Sequence, residues 1–373
     1  MKWKGLLLII LVFLAGCSGE VFETGDVFNE TNYDAEVVYS DLNSPWGLHF
    51  LTSTDVLITE KSGSLALLNT DTKEITRLGG VPQVNTRGQG GLLDVHVDDD
   101  NVYLTYSASF EEGITTHLGK GVLDIDNNEI IDFEVLRVIE PSLGGGSHFG
   151  SRVLVQDEYV FFTTGDRGRK DFGSDHVSQD TSNELGSIVR LYKNGSVPET
   201  NPFVGQEGFS EGIWSYGHRN VQGLTLNPFT DELWISEHGE QDGDSLNIVL
   251  RGENYGWPIA HYGCTYGLGQ DVGGLPNETE GVVDPVHYWE CGSGGFPPGG
   301  MTFYDGKVEE WQGNLFVGNL AGQYLGRFVV EEEGLREAEP LLSERGWRVR
   351  DVEQGLDGYL YVVTDSGLLV KLG

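Results

Sequence analysis

The stretch Tyr159-Val160-Phe161-Phe162-Thr163-Thr164, followed by Gly165-Asp166, shows the pattern that decides the fold of this chain. Its aromatic and β-branched residues end at a glycine-bearing turn, which is typical of a buried β-strand. Similar runs recur at Val56-Leu57-Ile58-Thr59-Glu60, Val102-Tyr103-Leu104-Thr105-Tyr106, Leu233-Trp234-Ile235-Ser236-Glu237, Leu315-Phe316-Val317-Gly318 and Tyr359-Leu360-Tyr361-Val362-Val363-Thr364. The chain therefore contains six copies of one strand-rich unit.

The spacing of these copies predicts how they are arranged. Intervals of about 45 to about 80 residues fit one four-stranded antiparallel sheet per copy, with loops of varying length. No amphipathic helical stretch separates the copies, which disfavours a βαβ architecture. We therefore predict an all-β, six-bladed β-propeller. The stretch Glu36-Val37-Val38-Tyr39 precedes the first copy and is available to complete the last blade. A β-sandwich or a pair of barrels is the alternative.

The N-terminal residues predict export. Lys2 and Lys4 flank the start of an apolar run that ends at Leu14 and is too short to span a bilayer. The tetrapeptide Leu14-Ala15-Gly16-Cys17 follows and resembles a lipobox. We expect residues 1–17 to be a lipoprotein-type signal peptide with Cys17 lipidated, residues 18–33 a tether, and residues 34–373 the propeller. The protein would then be extracytoplasmic and held to the cell envelope by lipid alone. An ordinary signal peptide that contains a cysteine is the alternative.

The net charge restricts the classes of partner, and the cysteine content bears on whether a disulfide can form. The formal net charge of −35 repels nucleic acid, so this class of partner is not expected. Apart from Cys17, the chain has only Cys264 and Cys291. In an oxidising compartment two such cysteines are compatible with one disulfide, and also with two free buried thiols, because sequence does not give their geometry.

Four segments are richer in glycine and polar residues than packing requires: 87–93, 147–152, 214–223 and 237–240, the last running on to 244–247 and 254–258. The most specific of them read Tyr216-Gly217-His218-Arg219-Asn220-Val221-Gln222-Gly223 and Asn254-Tyr255-Gly256-Trp257-Pro258. Together the segments resemble the soluble glucose dehydrogenases and aldose sugar dehydrogenases that use pyrroloquinoline quinone (PQQ), also called glucose/sorbosone dehydrogenases. The resemblance runs from Ser44 to the final strand. It implies a six-bladed propeller that oxidises aldose sugars to lactones and passes electrons to an external acceptor.

Oxidation at an anomeric carbon requires a base that removes the hydroxyl proton while a hydride leaves the carbon. A neutral imidazole suits this role because its pKa lies near the working pH. The resemblance places His148 at the general-base position and Asp166 at the carboxylate that orients the imidazole. It adds Arg219 as the third catalytic residue, which stabilises the charge that develops. A structural histidine is the alternative for His148.

PQQ carries three carboxylates, and arginine side chains bind carboxylates in bidentate geometry. Arg348 and Arg350 are two residues apart, so on a strand both would point to the same face. A surface charge pair is the alternative for these two. The cofactor contacts that the resemblance implies are Gln89, His148, Arg219, Asn220, His238, Asp244, Arg348 and Arg350.

The resemblance also implies a calcium ion that polarises the quinone, held in part by the backbone carbonyls of Gly239 and Glu240. The sequence departs from the family pattern at three positions. The family usually has proline where Glu240 stands and glutamate where Ser245 stands. Ala321 replaces a lysine that contacts PQQ in some members, which is expected to weaken carboxylate binding without abolishing it.

Two other functional classes compete with the dehydrogenase. A non-catalytic propeller that binds sugar or protein would have lost the base or the arginine pair, and His148, Arg348 and Arg350 all remain. A propeller hydrolase with a calcium-bound water would need a ring of carboxylate and asparagine side chains around the metal. A Rossmann-type nicotinamide enzyme is excluded because no glycine-rich stretch opens a helix inside a βαβ unit.

Overall fold

The computed structural model describes residues 22–29, 33–332 and 334–373 of the chain. The expected signal peptide and Cys17 lie outside these residues. The described part consists of β-strands, together with two short 3₁₀ helices at Pro276–Glu278 and Glu309–Trp311. It includes no helix with the length and apolar character needed to cross a membrane.

The strands form six antiparallel sheets, which we number as blades 1 to 6. Two strands precede blade 1, namely β1 (Val27–Asn29) and β2 (Asp34–Tyr39). Blade 1 contains β3 (Pro45–Phe50), β4 (Asp55–Glu60), β5 (Ser64–Asn69) and β6 (Ile75–Arg77). Blade 2 contains β7 (Leu92–Asp98), β8 (Asn101–Phe110), β9 (Gly113–Asp124) and β10 (Glu129–Val138). Blade 3 contains β11 (Val153–Gln156), β12 (Tyr159–Thr163), β13 (Ser187–Tyr192) and β14 (Ile213–Tyr216).

The remaining blades follow in chain order. Blade 4 contains β15 (Val221–Leu226), β16 (Leu233–Glu237), β17 (Ser245–Ile248) and β18 (His287–Tyr288). Blade 5 contains β19 (Pro298–Phe303), β20 (Asn314–Asn319), β21 (Tyr324–Glu331) and β22 (Gly334–Glu337). Blade 6 contains β23 (Val349–Gln354), β24 (Leu360–Thr364) and β25 (Leu369–Leu372), and it is completed by β2 and β1.

The first strand of each blade lies at the centre of the molecule. Strand β3 contacts β7, β7 contacts β11, and the contacts continue through β15, β19 and β23 back to β3. This closed circle of inner strands confirms the predicted six-bladed propeller and excludes both a sandwich and a pair of barrels. Because the inner strands surround one axis, side chains from all six blades meet in a central channel.

The ring closes through strands from opposite ends of the described chain. Strand β2 pairs with β25, with Ala35 opposite Leu372 and Val37 opposite Val370, as the stretch around Val37 predicted. The short strand β1 then pairs with β2 and adds a fifth strand to blade 6. Residues 27–29 therefore belong to a sheet, although they lie in the segment expected to be a tether. Their pairing covers backbone groups that would otherwise form an open sheet edge.

Apolar side chains fill each interface between neighbouring blades. In β4, Leu57 packs towards blade 2, whereas Val56 and Ile58 pack towards blade 6. In β12, Phe161 packs towards blade 4 and Phe162 towards blade 2. Successive side chains on a strand point to opposite faces, so a blade buried on both faces requires apolar residues without alternation. This requirement explains the unbroken runs that identify the six copies.

Candidate active site

A cavity of about 640 Å³ opens on the central channel, and residues from all six blades line it. Every site residue predicted from the sequence lies on its wall except Asp166, which lies behind one of them. Those on the wall are Gln89, His148, Arg219, Asn220, His238, Gly239, Glu240, Asp244, Arg348 and Arg350. The fold thus gathers predicted residues from blades 2, 3, 4 and 6, and from the loops that lead into them, into one site.

His148 and Asp166 form a hydrogen-bonded pair between His148 Nδ1 and Asp166 Oδ1, at 2.6 Å. The Asp166 carboxylate is fully buried and also accepts hydrogen bonds from the Gly168 amide at 2.8 Å and the Trp257 indole at 2.9 Å. Burial raises the pKa of Asp166, but the hydrogen bond and charge of His148 outweigh burial, and the pKa lies below its ordinary value. The carboxylate therefore holds the proton on Nδ1 and leaves Nε2 as the proton acceptor.

The backbone around His148 is held in an uncommon conformation. His148 has a φ of +50°, and its amide donates to Gln89 Oε1 at 2.7 Å. Behind it, a side chain at Gly165 would collide with the carbonyl oxygen of His148. A glycine at position 165 is therefore required for the histidine loop to approach the strand that precedes Asp166. Gln89 acts on the base through this amide as well as by lining the cavity.

Arg219 is buried at the cavity wall. Its Nη2 donates to Glu240 Oε2 at 2.6 Å and its Nη1 to the His238 carbonyl at 3.4 Å, while Nε has no hydrogen-bond partner among the described residues. The Glu240 carboxylate also forms an ion pair with Lys170. The motifs imply only a backbone role for Glu240, and they do not include Lys170. The run of basic residues Arg167, Arg169 and Lys170 after the Gly165-Asp166 turn of so acidic a chain was the available signal.

Arg348 and Arg350 lie on the opposite wall and share one carboxylate. Arg348 Nε contacts Asp365 Oδ2 at 2.8 Å, and Arg350 Nε contacts Asp365 Oδ1 at 2.9 Å. Burial raises the pKa of Asp365, but the charges of the two arginines and their hydrogen bonds lower it overall. The sequence interval of two thus brings both guanidinium groups to one carboxylate, and Lys61 lines the cavity with them.

The loop after β16 carries the remaining predicted residues. Asp244 accepts hydrogen bonds from the amides of Gly239 at 3.0 Å and Phe296 at 2.8 Å, and burial raises its pKa to about 6. Burial, followed by the nearby cationic side chains, lowers the pKa of His238 to about 3, so its imidazole is neutral. The Asn220 side chain accepts a hydrogen bond from the Gly150 amide at 3.2 Å.

A disulfide links Cys264 and Cys291, whose Cα atoms are 5.5 Å apart, so these cysteines are not free thiols. The bond joins the segment after β18, which carries Cys291, to the long connection between β17 and β18, which carries Cys264. The same connection carries Tyr266, an exposed aromatic residue on the cavity wall. Nothing in the local sequence distinguished Tyr266 from other surface tyrosines, because its position depends on this disulfide-linked loop.

A second, smaller cavity of about 180 Å³ lies at the other end of the channel. Along the inner strands, Trp46 and Leu93 line the first cavity, whereas His49 and His96, three residues further on, line the second. Arg152 lines this second cavity and is not among the predicted site residues.

Arg152 is almost fully saturated with hydrogen bonds. Its Nη1 contacts Asp94 at 3.2 Å and Asp351 at 2.8 Å, and its Nε donates to the Gln222 carbonyl at 2.6 Å. Its Nη2 donates to the Arg350 carbonyl at 3.3 Å. Burial raises the pKa of Asp94 to about 7 despite the charge of Arg152, and it also raises the pKa of Asp351.

The fold and the first cavity define a class of protein: a six-bladed propeller with an oriented histidine base and a group of arginines on its axis. Comparison with known proteins agrees. The glucose/sorbosone dehydrogenase family matches residues 42–371, and the chain belongs to this family. The family prediction from the sequence motifs is therefore confirmed.

Individual relatives extend over nearly the whole chain. Aldose sugar dehydrogenase YliI of Escherichia coli is 37% identical over 350 residues, covering 91% of this chain and 92% of the relative. The apo-form crystal structure of the soluble aldose sugar dehydrogenase from Escherichia coli aligns with a TM-score of 0.85 at 36% identity, covering 91% and 99% of the two chains. The PQQ-bound aldose sugar dehydrogenase of Streptomyces coelicolor aligns with a TM-score of 0.71 at 26% identity, covering 92% and 99%.

Proposed function

We propose that this protein is a PQQ-dependent aldose sugar dehydrogenase. It oxidises aldoses at the anomeric carbon to lactones and passes the electrons to an external acceptor. The observation that carries the proposal is the His148–Asp166 pair, at 2.6 Å, in which Asp166 is buried and His148 lies on the wall of a cavity that Arg219 also lines. The chemistry of the related aldose sugar dehydrogenases, one of them PQQ-bound, supports it.

The residues of the cavity fit an anionic quinone cofactor. Arg219 has a buried Nε without a partner among the described residues, which is costly unless a ligand satisfies it. Arg348 and Arg350 share the single carboxylate of Asp365, so their wall carries an excess of positive charge. When bound, PQQ supplies the hydride acceptor, which no side chain of the protein can provide. We assign its binding to Arg219, Arg348 and Arg350, with Gln89, Asn220, His238 and Asp244 as further lining residues.

The protein's own part in the reaction is to position the sugar and remove a proton. Nε2 of His148 accepts the proton of the anomeric hydroxyl. The Asp166 carboxylate then stabilises the imidazolium, as its low pKa allows it to remain ionised. Arg219 places positive charge beside the developing negative charge, which lowers the energy of the transition state.

Calcium is part of the same proposal. We assign it to the backbone carbonyls of Gly239 and Glu240, and it would polarise the quinone oxygens. Calcium takes six to eight oxygen ligands, and the described residues include no cluster of three or more acidic, histidine or cysteine side chains that could hold it. The Glu240 carboxylate is already bound to Arg219 and Lys170. The metal would therefore depend on the cofactor and water for most of its ligands.

The test is dye-linked sugar oxidation by the purified apoprotein, with and without added PQQ and calcium. The proposal expects activity on a panel of aldoses only when both are present, and none in His148→Gln. PQQ binding followed by absorbance separates two failures. Binding without turnover of any aldose would contradict the substrate class, whereas no binding at all would favour a propeller that only binds sugar or protein.

We also propose that the protein is exported and anchored through lipid on Cys17. The support is the order of basic, apolar and small residues in positions 1–17. Expression of the full chain and of Cys17→Ser tests this, with fractionation of membranes and labelling with a radioactive fatty acid. The proposal expects label and membrane association only when Cys17 is present.

A further inference from the structure

The cationic side chains of the first cavity differ in how well their charges are compensated. Five of them line the cavity: Lys61, Lys170, Arg219, Arg348 and Arg350. Lys170 and Arg219 share the carboxylate of Glu240, and Arg348 and Arg350 share that of Asp365. Lys61 has no carboxylate within ion-pair distance among the described residues. Its Nζ donates to the carbonyl of Gly88 at 3.1 Å.

Lys61 lies in a cationic environment. Burial lowers its pKa first and the positive charge of Arg350 lowers it further, while Asp365 opposes both effects. The wall formed by Lys61, Arg348 and Arg350 therefore presents three cations to the single carboxylate of Asp365. The whole chain carries a net charge of −35, so this local excess is not a consequence of composition. Like charges held together in a partly buried site are unfavourable unless an anion joins them.

The wall also contains Ala321, one of the three positions at which the chain departs from the family pattern. Ala321 lines the same cavity, and the family resemblance gives a cofactor-contacting lysine at this position in some members. Arg348 Nη1 donates to the neighbouring Leu320 carbonyl at 3.1 Å, so Ala321 and the arginines belong to one wall. Lys61 reaches this wall from blade 1, whereas Ala321 follows β20 of blade 5.

We propose that Lys61 binds a carboxylate of the cofactor together with Arg348 and Arg350, in the cavity to whose wall Ala321 brings no charge. The inference rests on the proposed function, because it takes PQQ as the anionic ligand. It adds a binding residue that the motifs do not identify, since Lys61 lies in the turn after β4 in blade 1, outside all four polar segments.

Titration of the apoprotein with PQQ in the presence of calcium, followed by the absorbance of the cofactor, tests this. Lys61→Met removes the charge and keeps most of the side-chain volume, and Lys61→Arg restores the charge. Lys73→Met is the matched control, because Lys73 pairs with Glu36 away from the cavity. We expect Lys61→Met to raise the Kd for PQQ about tenfold, and the two other variants to remain within about threefold of the wild type. The defect should decrease at high salt, where charge attraction is screened.

Three results would overturn the inference, and each leaves a different conclusion. Equal PQQ affinity of the wild type and Lys61→Met removes Lys61 from the site and leaves the proposed function intact. Weaker binding that Lys61→Arg does not restore, with a lowered thermal midpoint, shows that Lys61 only supports the Gly88 turn. No PQQ binding by the wild type overturns both this inference and the proposed function.

Discussion

The two ends of the central channel use the same inner strands to hold charged residues in different ways. At the first cavity, a space of about 640 Å³, the described residues offer no hydrogen-bond partner to Arg219 Nε and no carboxylate to Lys61. At the second, Arg152 contacts two carboxylates and two backbone carbonyls beside a space of about 180 Å³. The first cavity thus has cationic groups that can still bind an anion, whereas the hydrogen bonds of Arg152 at the second cavity are already made within the protein.

The difference separates residues that serve ligands from residues that serve stability. Arg152 connects Asp94 of blade 2, the Gln222 carbonyl of blade 4 and Asp351 of blade 6, so it links separate blades across the axis. Arg219 and the arginine pair face an open cavity, and satisfying them fully requires a molecule from outside. Substitutions of side chains that line the first cavity should therefore change activity at constant stability, and substitutions at the second cavity should change stability.

The largest effect is expected for His148→Ala. Loss of the base should lower kcat about 10⁴-fold, because the proton acceptor disappears while the arginines remain. The thermal midpoint should stay within a few degrees of the wild type, because His148 lines a cavity. Dye-linked kinetics and a thermal scan on the same preparation measure both quantities. A midpoint that falls together with the activity would contradict the separation of the two ends.

Arg152→Met should destabilise the protein by about 3–5 kcal/mol. The substitution leaves Asp94 and Asp351 buried without their cation, which costs more than the loss of a surface pair. Denaturant unfolding measures the change. The control is Arg336→Gln, since the exposed pair of Arg336 with Glu331 should contribute no more than about 1 kcal/mol. Equal stability of the two variants would show that Arg152 is not a structural link.

Asp166→Asn should lower kcat about 10²-fold with a smaller effect on KM. The amide cannot hold the Nδ1 proton of His148 as an ionised carboxylate does, so the base is less well oriented. It also cannot stabilise the imidazolium, so the variant's activity should depend on pH in a different range. A pH profile of kcat/KM for both proteins checks this. Coincident profiles would mean that Asp166 has only a packing role.

The smallest expected effect is the pH dependence of stability that Asp94 produces at the second cavity. Because the pKa of Asp94 is raised to about 7, the folded protein binds more protons than the unfolded chain between about pH 4 and pH 7. The stabilising contribution of this group is thus present below its unfolded pKa and is lost as pH rises through 7. Relative to Asp94→Asn, the wild type should lose more than about 1 kcal/mol over this range. A constant difference between the two proteins would contradict the raised pKa.

The contribution of Asp166 to stability changes with pH in the direction opposite to that of Asp94. Its pKa is lowered in the folded protein, so its contribution is present above the unfolded pKa and is lost as pH falls through the folded value. The difference in stability between the wild type and Asp166→Asn should therefore decrease in acid, whereas that for Asp94→Asn changes in the other direction. Thermal midpoints between pH 3 and pH 8 for the three proteins measure both trends. A shared trend would show that the two ends titrate as one unit.

The fold could be predicted because its main signal is local. A blade buried on both faces needs unbroken apolar runs such as the one around Phe161, and these runs can be counted in the sequence. The pairing of Arg348 and Arg350 was also accessible, because the two-residue period of a strand places them on one face. The short strand β1 was not predicted, because three residues carry no periodicity.

The missing parts of the site depend on distant contacts. Lys170 meets Glu240 across 70 positions, and Arg152 meets Asp351 across 199. Arg152 lies in one of the polar segments that the sequence singled out, but its direction into the second cavity follows only from the closed ring. Lys61 lies outside every motif. Its proposed role depends on the charged residues that other blades bring close to it.

The pairing of β2 with β25 has a consequence for how the protein is made. Synthesis proceeds from the N-terminus, so β2 emerges early but its partner emerges only after all six copies have been translated. Until then, blade 6 lacks strands and the growing chain exposes sheet edges that can pair with other molecules. Closure of the ring therefore requires that the sixth copy has been synthesised. A chain interrupted anywhere in blade 6 should consequently be a substrate for quality control, even though its first five blades are complete.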